Sequence, residues 1–345
     1  MKVFGLLPYT DETELTGPAP TSFDPVFMRR LAQTFDAHGY ERVLIAQSAA
    51  SPDSMVVAGH VLAWTERLKV MIAHRPGFVA PTMAARMLAT LDQLSAGRAG
   101  VHIITATNDA ETQGDGDFLT KDQRYHRSRE YVQLLRRTWA ETGPFDHEGE
   151  VYHTRGSRSL IRPAPGSIPI FWGGASGLGL QFGGECADCY ALAGGTQATV
   201  GRLIGEVRAA AAAAGRPMPR VLMSIRVVMA EDDAAAWTRA EAMAAVVREK
   251  AGAKIGLGSG SDASAARRVA EAAAARSADD PCLWGGIIEA TGGTSHAMAL
   301  VGGPDELVTA LRAYEALGVD DVLLRGFENL ADAETVGRWL IPALA

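Results

Sequence analysis

Eight short apolar runs, each followed by a longer helical pattern, constrain the fold of this chain more than any other feature of its sequence. The runs are nearly continuous in apolar character, which is typical of parallel strands that are buried on both faces. Predicted strands cover residues 2–8, 42–46, 68–74, 100–106, 168–174, 189–195, 220–230 and 320–326. Predicted helices cover residues 25–39, 54–65, 81–95, 123–140, 177–187, 198–214, 233–251, 304–317 and 330–343.

Eight strand–helix units in a chain of 345 residues predict an α/β fold, a (β/α)8 or TIM barrel, that forms one domain over residues 1–345. A doubly wound open sheet is the alternative, but such a sheet usually has fewer strands and one dominant phosphate-binding turn. Three segments exceed the minimal barrel and are predicted to be insertions, at about 107–122, 141–167 and 252–303. The second contains a predicted hairpin. The third is rich in Gly, Ser and Ala, and loops of this size are usually functional lids or disordered.

The charge and the cysteine content indicate which partners the protein can bind and in which cellular compartment it is found. The formal net charge is −7 and the acidic residues are dispersed, so the sequence has no basic stripe for nucleic acid. No apolar run reaches the length of a membrane span, and the N-terminal residues lack a signal-peptide pattern. Three cysteines in so long a chain fit a reducing compartment, so we expect a cytoplasmic protein without membrane contact. Cys186 and Cys189 are interpreted as packing residues, because no histidine or second cysteine pair completes a metal site.

The fourth predicted strand turns polar where it ends. The stretch AGVHIITATNDAETQGDGDFL, residues 99–119, passes from an apolar run to Thr105, Asn108 and a loop with four acidic residues. In a barrel, this end of the strand belongs to the face that carries the active site. We therefore expect Thr105 and Asn108 to contact a ligand. His74 closes the third strand and is a second site candidate, whereas His102 lies inside the fourth strand and is expected to pack in the core.

A run of small residues, FWGGASGLG, joins the fifth strand to the next helix. Backbone N–H groups at Gly174 and Ala175 can approach a ligand closely, Ser176 adds a hydroxyl, and the helix presents its positive N-terminus. The run therefore predicts a phosphate site, although a tight turn that merely requires glycine could have the same sequence. In KDQRYHRSREY, Tyr125 could cover a flat ligand and reach a phosphate, while the charged residues are interpreted as a solvated first turn.

Two arginines interrupt apolar strands. Arg226 lies within SIRVVMA, and Arg325 lies near the end of the eighth strand in LLRGFENL. A buried guanidinium without a partner is unfavourable, so each side chain needs an anion. A protein carboxylate and a bound ligand are equally consistent with the sequence.

Several stretches together resemble the bacterial-luciferase-like family of flavin-dependent monooxygenases, and most of all its alkanesulfonate monooxygenase branch. They include LKVMIAHRPGFVAPTMAARMLATLDQLSAGR, GDGDFLTKDQRYHRSREY, FDHEGEVYHTRG and FWGGAS. The resemblance implies a barrel with a long lid after the seventh strand. It also implies reduced FMN supplied by a separate NAD(P)H-dependent flavin reductase, O2 as co-substrate, and homodimers or homotetramers. The implied reaction oxygenates a small organic substrate, organosulfur compounds included, through a flavin (hydro)peroxide. Two alternatives are an F420-dependent oxidoreductase of the same family and a flavin-binding protein without catalysis.

The family pattern also assigns roles to single residues. It implies flavin contacts at Thr105, Asn108, Tyr125, Gly174, Ala175 and Ser176, the last three holding the phosphate. The chain departs from the sulfonate branch where Val228 replaces a histidine, Ser51 a cysteine and Phe327 a tyrosine. Flavin binding is therefore implied more firmly than desulfonation. The predicted catalytic residues are Arg226, His74 and Ser51, the predicted substrate contacts are Arg325 and Phe327, and no metal ligand is predicted.

Overall fold

The computed structural model of the chain describes residues 1–105, 109–164, 168–174, 176–252, 269–273, 275–277, 279–295 and 298–345. Two of the predicted flavin contacts, Asn108 and Ala175, lie outside the described residues, as do residues 253–268 of the predicted lid. Within the described ranges, no helix is both long and apolar enough to cross a membrane.

The eight predicted strands pair in parallel and form a (β/α)8 barrel, so the predicted fold class is confirmed. Each of the eight predicted strands is present, because apolar runs of this kind are stable where both faces of a sheet are covered. Four further strands, β5, β6, β10 and β11, lie outside these eight. In chain order the strands are β1 (Lys2–Leu7), β2 (Arg42–Ile45), β3 (Lys69–His74), β4 (Val101–Ile103), β5 (Phe145–Glu148), β6 (His153–Ser157), β7 (Ile170–Gly173), β8 (Cys189–Ala193), β9 (Arg220–Met229), β10 (Leu283–Trp284), β11 (Ala299–Gly302) and β12 (Asp321–Arg325).

The predicted helices other than the last agree with the structure to within two residues at each end. They are α1 (Pro25–Ala37), α2 (Ser54–Ala63), α3 (Pro81–Leu94), α5 (Lys121–Ala140), α6 (Gly177–Cys186), α7 (Gln197–Ala213), α8 (Asp233–Gly252) and α10 (Pro304–Leu317). Two short helices were not predicted, α4 (Asp109–Gly114) and α9 (Gly286–Ala290). The acidic loop after the fourth strand is therefore partly helical.

The C-terminal helix predicted over residues 330–343 is wrong as a single helix. The chain forms α11 (Asn329–Thr335), a π-helical turn (Val336–Leu340) and α12 (Ile341–Leu344). Pro342 has no N–H to continue an α-helical hydrogen-bond ladder, and the turn before it is wider than an α-helix.

The chain forms two compact units. Unit 1 consists of Met1–Glu41, Leu192–Ile204 and Val221–Ala345, and unit 2 consists of Arg42–Ala191 and Gly205–Arg220. The expectation of one domain over the whole chain stays a prediction.

In unit 2 the strands follow the order β2-β3-β4-β7-β8. Neighbouring positions in register include His74 with Ile103, and Ile103 with Trp172. Because these strands are parallel, their C-terminal ends meet along one edge, where Thr105 and Gly174 follow β4 and β7. The polar end of β4 and the small-residue turn after β7 are thus neighbours.

The predicted hairpin between α5 and β7 is confirmed as the antiparallel pair of β5 and β6. The carboxylate of Glu130, on α5, accepts hydrogen bonds from the backbone N–H groups of Val151 and Tyr152, each at 2.9 Å. Its Oε1 also lies 2.9 Å from Nε2 of His147. A single carboxylate therefore attaches the hairpin to the helix.

In unit 1 the strand order is β10-β11-β9-β12-β1. The segment 252–303, predicted to be an insertion, contains β10 and β11, which the sequence did not reveal. Strand β11 pairs in parallel with the end of β9, placing Ala299 opposite Arg226. A buried apolar cluster surrounds this end of β9 and consists of Val228, Ala236, Ala240, Met243, Ala244, Val247, Trp284, Ile287, Ala290, Ala299, Val301 and Phe327.

Candidate active site

The acidic loop after β4 is held by arginines. Its four carboxylates are all paired: Asp109 with Arg124, Glu111 and Asp115 with Arg75, and Asp117 with Arg127. Arg124 and Arg127 are buried, so the interpretation of this helix start as a solvated turn is wrong for both. The physical reason is the loop itself, because its carboxylates satisfy guanidinium groups that lie under it.

The pKa values of the loop carboxyls follow from this pairing. Burial by itself raises the pKa of Asp117, but hydrogen bonds from Arg127 and Leu119 hold that pKa below its usual value. For Glu111 the desolvation is likewise outweighed, by Arg75 and by the backbone N–H of Ala49. Both side chains are therefore ionised at neutral pH, and the loop is fixed by charge-assisted hydrogen bonds.

Arg124 connects the loop to the end of β4. Its Nε donates to the carbonyl of Thr105 at 2.8 Å, and its Nη1 donates to the carbonyl of Leu119 at 2.6 Å. Its Nη2 lies 2.8 Å from Oδ1 of Asp109. The side chain is only 1% exposed, so these bonds act in a dry environment where they are strong.

The turn after β7 brings Gly174, Ser176 and Tyr125 together. Ser176 is the N-cap of α6, and its Oγ accepts from the N–H of Gly179 at 3.3 Å. The same Oγ lies 3.2 Å from the hydroxyl of Tyr125, which is buried at the start of α5. Three of the residues predicted to hold a flavin are thus close together at a helix N-terminus, where Ser176 and Tyr125 contribute hydroxyl groups.

Gly174 is required by both its conformation and its neighbours. Its φ is +140°, which disfavours residues with a side chain. A Cβ at this position would lie 2.8 Å from the Tyr125 hydroxyl, and a Cβ at Gly179 would lie 2.9 Å from the same atom. Glycine at both positions leaves room around the hydroxyl for the oxygen atoms of a ligand.

This arrangement fits a phosphate group. The N-terminus of the ten-residue helix α6 supplies a positive partial charge, and Ser176 and Tyr125 supply hydroxyls. The donors are neutral, so affinity for a dianion depends on the helix and on backbone N–H groups. Thr105 is not in direct contact with this cluster, but Arg124, which binds its carbonyl, immediately precedes Tyr125.

His74 lies at the end of β3, as predicted, and is bonded within the protein. Its Nε2 lies 2.7 Å from the hydroxyl of Tyr131, which in turn donates to the carbonyl of Val79 at 3.0 Å. Desolvation lowers the pKa of His74 to about 4, so the ring is neutral at physiological pH. Because the single proton of the Tyr131 hydroxyl goes to Val79, Nε2 of His74 is the donor.

Ser51 also has partners within its own turn. Its Oγ accepts from the N–H of Ser48 at 2.8 Å and donates to the carbonyl of Ser48 at 3.0 Å. The next residue of the turn, Ala49, donates its N–H to Glu111 at 3.1 Å. The turn after β2 is thereby attached to the acidic loop.

In unit 1, Arg226 is buried and has a protein partner. Its Nη2 forms an ion pair with Glu14, and its Nη1 donates to the carbonyl of Gly326 at 2.7 Å. Its guanidinium carbon lies 4.1 Å from the centroid of the Phe327 ring. Of the two partners left open by the sequence, the structure shows the carboxylate. Burial alone raises the pKa of Glu14, but the charge of Arg226 outweighs it and lowers that pKa.

Arg325 lies opposite Arg226 in the register of β12 and β9. Burial, and then the charge of Arg226, lower its pKa to about 10. In the described part of the chain, Arg325 forms no ion pair or hydrogen bond through its guanidinium, and Glu14 is the carboxylate that acts on its charge. Two guanidinium groups therefore share one carboxylate.

Comparison with known proteins identifies the family. The model of the luciferase-like monooxygenases matches residues 1–321. The chain belongs to this family. As a luciferase-like monooxygenase it is a flavin-dependent oxidoreductase, and the predicted enzyme class is confirmed.

Solved structures of luciferase-like and related enzymes have the same fold at low sequence identity. DmoA from Hyphomicrobium sulfonivorans has a TM-score of 0.80 at 18% identity, over 100% of this chain and 87% of its own. The EDTA monooxygenase of Chelativorans sp. BNC1 has a TM-score of 0.75 at 18% identity, over 100% and 93%. The F420-dependent tetrahydromethanopterin reductase of Methanopyrus kandleri has a TM-score of 0.70 at 20% identity, over 100% and 99%.

Some features of this luciferase-like monooxygenase were not evident from its sequence. Glu14 has no local pattern that marks it, since its partner Arg226 is 212 positions away. Arg124 was assigned to solvent because charged residues at a helix start usually lie there. Val228, where the sulfonate branch has a histidine, is fully buried in the apolar cluster of unit 1.

Proposed function

We propose that the protein is the oxygenase of a two-component system. It uses reduced FMN, supplied by a separate NAD(P)H-dependent reductase, and O2 to oxygenate a small organic substrate. The observation that carries the proposal is the cluster of Gly174, Ser176 and Tyr125 at the N-terminus of α6. This cluster can bind the phosphate that distinguishes FMN from riboflavin.

Bound reduced flavin supplies the activation of O2, with one oxygen atom transferred to the substrate, the other released as water, and the flavin returned to its oxidised form. The protein's own task is to bind and orient. Ser176 and Tyr125 bind the phosphate, and the end of β4 at Thr105, with Asn108 and Ala175 as predicted contacts, binds the rest of the flavin. Arg75 and Arg124 fix the loop that borders this region.

Within unit 1, we assign Arg226, Arg325 and Phe327 to substrate binding and catalysis. The two guanidiniums and the one carboxylate of Glu14 leave a net charge of +1, by the sum +2 − 1. Arg226 is held by Glu14 and Gly326, so Arg325 is the cation available to a ligand. This balance supports a substrate with an anionic or strongly polar group, and organosulfur compounds include many such molecules.

His74 and Ser51 are assigned secondary roles. Nε2 of His74 is engaged with Tyr131, so a catalytic role has to use Nδ1 of a neutral ring. The single hydroxyl proton of Ser51 is given to Ser48, so Ser51 can accept a hydrogen bond from a ligand but can donate one only if its turn opens. We therefore propose that both residues mainly shape the site, and that proton transfer is a secondary role for each.

Flavin titrations test the phosphate assignment. We expect the apoprotein to bind reduced FMN more tightly than oxidised FMN, and FMN about tenfold or more tightly than riboflavin, which corresponds to at least about 1.4 kcal/mol. Ser176→Ala should reduce the preference for FMN over riboflavin, whereas Ser157→Ala, on the hairpin, should leave it unchanged. Equal binding of FMN and riboflavin by the wild type contradicts the phosphate site. Tighter binding of F420 than of FMN assigns the protein to the F420-dependent oxidoreductases instead.

Oxygen consumption tests the reaction. Purified protein, a flavin reductase and NADH are combined with a panel of sulfonates, sulfones and other organosulfur compounds, and substrate-dependent O2 uptake is measured. Arg325→Gln should raise KM for an anionic substrate about tenfold through loss of a charge-assisted contact, while the exposed control Arg30→Gln should not. Flavin binding without O2 uptake on any substrate supports the non-catalytic alternative. Light scattering should show a homodimer or homotetramer, and a cytoplasmic location is expected.

A further inference from the structure

We propose that Arg124 is a positioning residue for the flavin, acting through the Thr105 carbonyl. The inference rests on the proposed function, because it takes the end of β4 and the Tyr125–Ser176 cluster as two ends of one flavin site. It goes beyond that function in assigning a role to a residue that touches neither the phosphate nor a substrate. Its basis is the set of hydrogen bonds made by one buried guanidinium.

The first step is the geometry of the guanidinium. Its Nε donates to the Thr105 carbonyl at 2.8 Å, and its Nη1 and Nη2 bind Leu119 and Asp109 at 2.6 and 2.8 Å. These acceptors lie at the end of β4, before α5 and on α4. A planar fork with fixed donor directions ties the three segments in one geometry, which a single flexible ammonium cannot reproduce.

The second step is the position of Arg124 on its helix. Tyr125 follows it directly, and the Tyr125 hydroxyl reaches Ser176 at 3.2 Å. The first turn of α5 therefore binds the end of β4 with one residue and the turn after β7 with the next. The turn thus holds the end of β4 in place relative to the Tyr125–Ser176 cluster.

The third step is the helix start itself. Thr120 and Gln123 form a capping box, in which the Thr120 side chain accepts from Gln123 N and the Gln123 side chain accepts from Thr120 N. The cap fixes the first turn of α5 independently of Arg124. Replacement of Arg124 should therefore leave the helix formed and release mainly the end of β4.

Arg127 provides a matched control within the same helix. It is also buried, and it also pairs with an acidic residue of the loop, Asp117. Its ion pair holds the loop to α5 but does not involve β4 or the turn after β7. If loss of either ion pair weakened flavin binding by destabilising the loop, both variants should lose affinity. If Arg124 positions the flavin, only the Arg124 variant should lose affinity.

The experiment compares Arg124→Lys with Arg127→Lys. For each variant, the Kd values of FMN and riboflavin are measured by flavin fluorescence, the absorption spectrum of bound FMN is recorded, and Tm is measured without flavin. We expect Arg124→Lys to raise both Kd values about tenfold, with their ratio unchanged, and to shift the spectrum of bound FMN. Arg127→Lys should also lower Tm, and it should change either Kd less than about twofold.

Three results overturn the proposal. They are wild-type affinity and spectrum in Arg124→Lys, an equal loss of affinity in Arg127→Lys, and an Arg124→Lys loss confined to FMN. A wild-type protein that binds neither flavin overturns the proposed function together with this inference, whereas a wild type that prefers FMN leaves only the inference at risk. If Arg124→Lys does not fold, Asp109→Ala replaces it, since the Asp109 side chain is 63% exposed and its loss removes one ion pair of Arg124 while the bonds to Thr105 and Leu119 remain. Asp109→Ala should then raise both Kd values several-fold, and an unchanged Kd overturns the proposal.

Discussion

Glu14, in the loop after β1, forms an ion pair with Arg226, which lies within strand β9. The Arg226 side chain is 4% exposed and that of Glu14 is 28% exposed, so the pair is largely shielded from water. The neighbouring Arg325 adds a second positive charge against the same carboxylate. The charge of Glu14 therefore stabilises two guanidiniums, and its removal should destabilise unit 1.

Glu14→Gln should lower the free energy of unfolding at pH 7 by about 2–3 kcal/mol, because it leaves buried cations without a counter-charge. The Glu14 pKa is lowered in the folded protein, so its stabilisation is complete above its usual value of 4.5 and is lost as the pH falls through the lowered value. The difference between wild type and variant should therefore shrink below about pH 4. Urea unfolding at several pH values measures it, with the exposed Glu12→Gln as control. A difference that stays constant down to pH 3 contradicts the ion-pair role.

Gly174→Ala should disrupt flavin binding. An added Cβ would meet the Tyr125 hydroxyl at 2.8 Å in a backbone conformation that alanine disfavours, so Tyr125 or the turn has to move. The FMN Kd should rise about tenfold or more, as the loss of one to two hydrogen bonds implies. Gly205→Ala, within α7 and with open space around its Cα, is the control and should bind FMN normally. Equal Kd values for the two variants would show that the phosphate lies elsewhere.

The sequence predicted the parts of this region that local patterns encode. Continuous apolar runs marked β4 and β7, and small residues marked the turn at Gly174. The sequence did not predict that Arg124 and Arg127 are buried, because burial of a charge depends on a partner placed by tertiary folding. The acidic residues that bind them lie in the same loop, so four carboxylates facing three nearby arginines were the available signal.

His74 should make stability depend on pH. Its pKa is about 4 when folded and 6.5 in its usual state, a difference that corresponds to about 3 kcal/mol. The unfolded chain then binds a proton that the folded chain excludes, so stability is highest above pH 6.5 and falls as the pH drops toward 4. His74→Gln, which keeps a donor for Tyr131, should remove this part of the slope. Urea unfolding between pH 7.5 and 4 gives the slope of the free energy of unfolding against pH. The slopes of the wild type and His74→Gln should differ by about one bound proton. The exposed His153→Gln should leave the slope unchanged, and parallel curves for wild type and His74→Gln would disprove the assignment.

Gly149→Ala should destabilise the hairpin of β5 and β6. A Cβ at Gly149 would lie 1.8 Å from Oε1 of Glu130, the carboxylate that binds the hairpin backbone. Displacing this carboxylate leaves two partly buried N–H groups without their protein partner, at about 1 kcal/mol. Hydrogen exchange should show faster exchange at Val151 and Tyr152. Gly143→Ala, before the hairpin and with open space around it, should not change the exchange rates.

Other parts of unit 1 show why patterns fail over longer distances. The strands β10 and β11 have two and four residues, too few for a periodic signal, and glycines flank them. Arg226 was recognisable as a buried cation, but its partner Glu14 lies in a polar stretch, DETELTG, that resembles any exposed loop. The sequence therefore predicted that Arg226 needs an anionic partner, but it did not predict that Glu14 is that partner.

Val228 tests the relation to the sulfonate branch. The side chain is fully buried, in register with Val301, and belongs to a cluster of apolar side chains that includes Ala236, Trp284 and Phe327 and contains no carboxylate. An imidazole there would be a buried polar group without a hydrogen bond, at about 1–3 kcal/mol, and would also be larger than the valine it replaces.

Val228→His should therefore lower the free energy of unfolding by about 2–4 kcal/mol and should not produce desulfonation of alkanesulfonates. Val246→His, at a position on α8 that is 40% exposed, is the control and should change stability by less than about 0.5 kcal/mol. Stability is measured by urea unfolding, and sulfite release is measured with reductase and reduced FMN. A Val228→His variant as stable as the wild type and active on sulfonates would show that the apolar cluster opens to the substrate. A loss of stability without sulfite release is the expected result for a position that is closed by packing, where a histidine cannot reach a substrate.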